Sequence, residues 1–283
     1  MPPWPAVART VRRFYSCGTF VCRLRPEAVR RVITDPLFYL VAIPAVLLVG
    51  LAKGGFGGAL TLVGVPLMAV VISPVTAAAI MLPVLVAMDI VGLVAWRGTF
   101  DRRVIAIMLP ASFGGVLLGY LTATMVSADG IRLVIGLLAL WFAAEWFWRS
   151  RHQLEPRPRN TAKSLSWGAI AGFSSFVSHA GGPPFQVAVM PLRLPPPVYA
   201  GTSVLFFAST NAVKLIPYFL LGQFSADNLA TSAVLMPLAP VATLAGVWLV
   251  RRVDPKAFYW IAYMVLVPVG LKLIVDGARA LFF

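Results

Sequence analysis

Four ionisable side chains in this sequence sit where the surroundings are apolar, and their types define the chemistry open to them. Lys53 separates the run Leu37–Ala52 from Ala59–Ile72, Asp89 lies inside Thr76–Trp96, His179 separates Ser166–Val177 from Phe185–Leu194, and Lys214 lies inside Val198–Leu221. A charge in hydrocarbon costs several kcal/mol unless it is paired or wet, so such residues mark functional positions by default. An ammonium at Lys53 suits direct coordination of an anion; snorkelling to the surface is the alternative, which its place at an inner break disfavours. An imidazole at His179 titrates near neutral pH, so it can donate to an anion and take part in proton coupling, or else serve as a satisfied structural group. Asp89 either bridges to Lys214 or carries a coupling proton. Ser203, Thr210 and Lys214 are spaced i, i+7, i+11 and share one helix face, with Thr202, Ser209 and Asn211 beside it. Such a stripe lines either a cavity or a hydrogen-bonded seam between helices, and the cavity is the favoured reading.

Lys53 and His179 each stand at a glycine-rich break, Lys53-Gly54-Gly55-Phe56-Gly57-Gly58 and Ser178-His179-Ala180-Gly181-Gly182-Pro183-Pro184. The flanking runs are short for a straight helix across ~30 Å of hydrocarbon, which takes ~20 residues. They read as half-helices meeting inside the membrane, where irregular backbone is tolerated only if buried in protein or lining a wet cavity. Without Cβ atoms, the backbone at Gly54, Gly55, Gly57, Gly58, Gly181 and Gly182 can approach a ligand closely. Gly58 and Pro183-Pro184 each begin a new half-helix, so two N-termini, each about half a positive charge, point inward. That is an anion site made of backbone. Close packing through small residues explains one such run as well; two matched runs, each with an ionisable neighbour, favour the anion site.

The composition sets the physical class. Of 283 residues, 59% are hydrophobic and 12% charged, with a mean hydropathy of +0.85, against roughly half apolar and a quarter charged in soluble domains. The chain is an integral membrane protein. Its net charge of +14 gathers in an N-terminal arm and in short loops, and no basic face with interleaved aromatics points to nucleic acid. Cys17 and Cys22 match no zinc or redox spacing, and His152 and His179 are the only histidines; neither a metal nor a cofactor is expected. Glu145, among Trp141, Trp146 and Trp148 and one turn before Arg149, fits an interfacial aromatic belt with an i, i+4 ion pair and is given no function.

Stepping outward, the elements that position these residues repeat. Residues 1–35 form a basic arm, with Pro26–Ile33 expected as a helix at the membrane surface. A first transmembrane repeat covers 36–149, a basic linker 150–163, and a second repeat 164–283. In each, a broken segment precedes three spans: Thr76–Trp96, Val104–Val126 and Ile131–Trp148, then Val198–Leu221, Leu229–Val250 and Ala257–Leu281. Laid over each other, Gly57-Gly58 falls on Gly181-Gly182, Gly98-Thr99-Phe100 on Gly222-Gln223-Phe224, Pro110 on Pro237 and Gly119 on Gly246. Internal duplication with paired breaks is the build of secondary transporters. Arg97, Arg102, Arg103, the linker and Arg251, Arg252 and Lys256 mark cytoplasmic loops, while Ser127–Gly130 and Gln223–Asn228 lack Lys and Arg. Equivalent loops then face opposite sides. The expected fold is all-α and polytopic, with two inverted repeats, each a broken or re-entrant helix pair plus three transmembrane helices; the side of the arm stays open.

Gly50-Leu51-Ala52-Lys53-Gly54-Gly55-Phe56-Gly57-Gly58 with Gly64-Val65-Pro66-Leu67-Met68, then His179-Ala180-Gly181-Gly182-Pro183-Pro184, Gly201-Thr202-Ser203, Asn211, Lys214, Pro217 and Tyr218 together resemble the sulfite exporter TauE/SafE family. The resemblance runs from about residue 37 to the C-terminus and excludes the arm. It implies a multi-pass permease of the cell inner membrane for small anions such as sulfite, sulfonates or related carboxylates, proton-linked, with no enzymatic activity. Residues and resemblance together predict alternating access around a midplane site. Lys53, Gly54, Gly55, Gly57, Gly58, His179, Gly181, Gly182, Pro183, Thr202, Ser203, Thr210, Asn211 and Lys214 would contact the substrate, and Asp89 or His179 would carry the proton. The expected partners are the anion, protons and the lipid bilayer, with a homo-oligomer also allowed. The competing classes are a membrane-embedded enzyme using His179, Asp89 and Lys53, or an anion channel.

Overall fold

The computed structural model describes residues 32–33, 35–54, 59–123, 125, 127–151, 158–249 and 255–282, and the regular structure among them is helical throughout. In chain order the helices are α1 (Pro36–Lys53), a 3-10 turn (Ala59–Val63), α2 (Gly64–Met68), α3 (Pro74–Ala95), α4 (Arg102–Ala123) and α5 (Ala128–Arg151). There follow α6 (Thr161–Ser178), α7 (Gly182–Val189), a 3-10 turn (Met190–Leu192), α8 (Pro196–Leu220), α9 (Ala226–Leu235), α10 (Leu238–Leu249) and α11 (Pro255–Phe282). Side-chain caps open several of them. Asp35 accepts from the Leu37 amide, Ser73 from Thr76, Asn160 from Lys163 and Ser225 from Asn228, supplying partners for amides that the first turn leaves free.

Among the described residues, helices α1, α3, α4 and α8 are long and apolar enough to cross a membrane, and α9 with α10, bent by 43° at their break, are together apolar enough to count as a fifth candidate if the pair is one span. The chain is a multi-pass membrane protein. The predicted single span Leu229–Val250 is therefore two helices. The bend falls at Met236-Pro237, where proline withdraws a donor and crowds the preceding turn. The run Ala59–Ile72 likewise holds the 3-10 turn and five-residue α2 in place of one half-helix. Most of the N-terminal arm, including Pro26–Arg31 of its expected helix, lies outside the described residues, as do Gly55, Gly57 and Gly58; Val32 and Ile33 carry no helix.

Helix α1 packs along α10, and α6 along α4; α3 packs on α8 and on α10, α4 on α8, and α5 on α11. Backbones touch at the α4–α6 crossing. A Cβ on Gly172 would stand 1.9 Å from the Ser112 carbonyl oxygen, and one on Gly115 would stand 2.0 Å from that of Ala169. The main core gathers Phe38, Val46 and Val49 of α1 with Ile80, Leu82 and Met88 of α3, and reaches Phe176 and Tyr218 in the second half. Lys53 and Gly54 at the first break and residues 178–184 at the second are buried.

Candidate functional site

Lys53 is the last residue of α1 and Asp89 lies two-thirds along α3. They are 8% and 5% exposed and form a buried ion pair, Lys53 Nζ donating to Asp89 Oδ1. The other carboxylate oxygen accepts from Asn211 Nδ2 of α8 at 2.6 Å. Asp89 is thus held through both oxygens by a cation and an amide, a charge-assisted arrangement stronger than neutral hydrogen bonds.

A second pair stands in the other half. Lys214, fully buried in α8, places Nζ 2.7 Å from His179 Nδ1, 2.9 Å from the Ser175 carbonyl oxygen and 3.0 Å from Ser175 Oγ. His179 Nε2 lies 2.9 Å from the Ala78 carbonyl oxygen. Both that oxygen and the Ser175 carbonyl oxygen, 3.2 Å from Nδ1, can only accept; the shorter contact assigns the ring proton to Nε2, which leaves Nδ1 to accept from the lysine. His179 ends α6 in the left-handed conformation, φ 56°, a helix-terminating geometry usually given to glycine. Its ring stacks on Tyr218 at 6.1 Å. The expected Asp89–Lys214 bridge is not what the structure contains. Asp89 is taken by Lys53 and Asn211, and Lys214 directs its three protons to Ser175 and His179. With both lysines charged, the described residues of the centre carry one positive charge more than the Asp89 carboxylate neutralises.

The breaks themselves touch, Thr61 Oγ1 donating to the His179 carbonyl oxygen at 3.2 Å. Gly54 is buried against α10; a Cβ there would sit 2.4 Å from the Val247 amide nitrogen, and its carbonyl accepts from Trp96 Nε1 at 3.1 Å. Close helix packing accounts for this glycine. Gly181, Gly182 and Pro183 lead buried into α7, and a Cβ on Gly181 would come within 3.1 Å of the Phe207 ring. The stripe on α8 divides. Ser203, Asn211 and Lys214 reach the buried centre, with Ser203, Lys53, Asp89, Gly92 and Phe207 lining a cavity of about 10 Å³, room for about one water. Thr202 instead accepts from the Asp101 amide at 2.8 Å, and Thr210 pairs with Ser112 of α4 at 2.9 Å, so both lie in interhelical seams.

Ser175 is the residue the sequence reading passed over. It sits one turn before His179, and that i, i+4 spacing inside an apolar helix was the available signal. At one end of the bundle, an apolar cavity of about 140 Å³ lined by Val75, Ala78, Thr122, Phe176, Tyr218 and Gln223 reaches the Ala78 and Tyr218 that hold His179. At the other end Asp101 accepts from Arg159 at 2.5 and 3.0 Å and caps α4 through the Val104 amide at 2.9 Å. The guanidinium holds the Asp101 carboxyl below the usual carboxylate range. Among the described residues no cluster of His, Cys, Asp or Glu could hold a metal ion.

The curated proteins and the solved structures offer no significant match to the chain. A family model does match, over residues 42–273, a span that contains both breaks and all of the paired residues above. The chain belongs to the sulfite exporter TauE/SafE family, whose members are membrane transporters of sulfur anions.

Proposed function

We propose that this protein is a secondary-active transporter that carries small sulfur oxyanions or related carboxylates across the cell inner membrane, by alternating access around the buried Lys53–Asp89 and Lys214–His179 pairs. The observation that carries the reading is Lys214, buried in the bundle with its amine bonded to a carbonyl, a hydroxyl and an imidazole and, among the described residues, to no carboxylate. An excess buried cation is costly unless something anionic shares the site. Lys53, Ser203, Asn211, Lys214 and His179 are the groups proposed to meet the substrate, with the Gly181-Gly182-Pro183 backbone behind them. Asp89 is the proposed proton carrier. His179 is a poorer one, because its Nδ1 already accepts from an ammonium.

The pairwise packing of the helices supports reading the two halves as inverted repeats, and with them alternating access. Exchanging α1 with α6, α3 with α8, α4 with the bent α9–α10 pair and α5 with α11 exchanges the packing α1–α10 with α6–α4 and leaves α3–α8 and α5–α11 as self-related pairs. The same exchange carries Lys53–Asp89 onto His179–Lys214. The loops follow the charge pattern, with Asp101, Arg159 and Thr202 gathered at one end and Thr122 and Gln223 at the other. The basic end is proposed to face the cytoplasm.

Purified protein in liposomes should move labelled sulfite faster when a proton gradient is imposed, and Lys214→Met should remove that flux. Its remaining partners are neutral groups, so the variant should still fold, at a cost of about 1–3 kcal/mol for the unsatisfied acceptors. Sulfite, sulfonate and carboxylate fluxes no faster than in protein-free liposomes would overturn the reading.

A further inference from the structure

We propose that Asp89 is a built-in competitor for the transported anion: its carboxylate occupies the two donors, Lys53 Nζ and Asn211 Nδ2, that the substrate takes over once Asp89 is protonated. The inference rests on the transporter reading and adds how proton and anion are coupled and which anions fit. It stands on geometry. Two donors from two helices, α1 and α8, converge on the two oxygens of one carboxylate, which is the way a small oxyanion would be held. Gly92, one turn beyond Asp89 on α3, leaves the side facing Val204 narrow but open; a Cβ there would meet Val204 Cγ1 at 3.1 Å. The adjoining cavity is water-sized, so an anion enters only where the carboxylate makes way.

In the step, one proton adds to Asp89 and turns its carboxylate into a neutral carboxyl. The Lys53 and Asn211 hydrogen bonds pass to two oxygens of the anion. On release the anion leaves, the carboxyl gives up its proton and the carboxylate regains both donors. One proton therefore travels with each anion. The charged and titratable groups that act on this centre are Lys53 from α1, Lys214 from α8 and His179 at the end of α6; both lysines favour an anion in either state. The bite of two oxygens on one atom selects carboxylate, sulfite and sulfonate edges over a spherical halide, and the small cavity selects compact anions over bulky ones.

Methanesulfonate, which does not titrate between pH 6 and 8, is the probe, with binding measured by calorimetry on purified full-length protein. In the wild type its affinity should rise about tenfold for each unit of pH lowered, with one proton taken up per anion bound, as read in buffers of different ionisation heat. Chloride should bind at least tenfold more weakly. Asp89→Asn should bind methanesulfonate at least tenfold more tightly than wild type at pH 8 and should lose the tenfold gain per unit of acidification. Wild-type binding that is independent of pH and free of proton uptake would overturn the proposal while leaving the transporter reading standing, and so would loss of binding in folded Asp89→Asn. If Asp89→Asn fails to fold, the wild-type proton count decides alone. Chloride binding as tight as methanesulfonate would overturn the oxyanion assignment. Absence of both binding and flux for every anion at every pH would overturn the transporter reading itself.

Discussion

Removing one member of the Lys53–Asp89 pair should destabilise the fold far more than removing both, and the two single variants should respond to pH in opposite senses. Both side chains are more than nine-tenths buried, and breaking such a pair typically costs about 3–5 kcal/mol because the survivor is left charged and dry. The survivor can limit its cost by changing protonation. Neutralising an ordinary aspartate, which titrates near ~3.9, costs about 4 kcal/mol at pH 7, and neutralising an ordinary lysine, near ~10.4, costs about 5 kcal/mol. In Lys53→Met the stranded Asp89 keeps its 2.6 Å bond from Asn211, which puts that variant at the lower end, about 3 kcal/mol. Its deficit should shrink on acidification by up to about 1.4 kcal/mol per pH unit. Asp89→Asn strands the ammonium, so its deficit should shrink as the pH rises. The double variant leaves no charge behind and should lie near wild type, with a flat profile. Thermal unfolding in nanodiscs at pH 5, 7 and 9 reads all of this; at about 2–4 °C per kcal/mol, each single variant should melt roughly 6–20 °C below wild type at pH 7. Additive losses in the double variant, or parallel pH profiles for the two singles, would refute the argument.

Two further outcomes follow from the packing. Gly172→Ala puts a methyl group 1.9 Å from a carbonyl oxygen of α4, so the α4–α6 crossing must open; a loss of at least 1–3 kcal/mol in thermal stability is expected, and an unchanged melting temperature would show that the helices are free to slide. Asp101, held below the usual carboxylate range by Arg159, contributes stability that is present above about pH 4, its unfolded range, and fades as the pH falls through its lower folded value. Asp101→Asn should abolish that acid limb. Arg159 is 37% exposed, so the loss at neutral pH should be at most about 1 kcal/mol, and an acid limb unchanged in the variant would assign it to another carboxyl.

Much of the architecture was legible because burial in lipid leaves a coarse signature. Apolar runs located α1, α3, α4 and α8 to within a few residues, and the family resemblance drawn from the two breaks is the family the chain belongs to. Less legible was the outcome at single residues, where packing decides. Pro110 and Pro237 overlay in the two halves, yet α4 runs through Pro110 while the chain bends at Pro237 between α9 and α10. Proline withdraws the same backbone donor in both places, so the residue type alone does not tell a continuous helix from a bent one. Periodicity put Thr210 on the polar face of α8 and Thr202 beside it, but a cavity and a seam both need polar atoms there. Only the partners, the Asp101 amide and Ser112, separate the two.

The pairing of the charges shows most clearly where sequence reasoning stopped. Overlaying the halves places His179 near the equivalent of Lys53, and Lys214 near the equivalent of Asp89, and that equivalence invites a bond between Asp89 and Lys214. Positions that overlay in sequence need not touch in the fold. Each half instead closes its own contact, from the last turn of its broken helix to the following helix: Lys53 to Asp89, His179 to Lys214. The chemistry of the two contacts differs. The first half holds a cation and an anion, the second a cation and a neutral ring. Had both halves kept a carboxylate, the buried charges would cancel. Among the described residues the centre instead has one carboxylate, Asp89, shared by Lys53 of the first half and Asn211 of the second, while Lys214 meets a carbonyl, a hydroxyl and the imidazole.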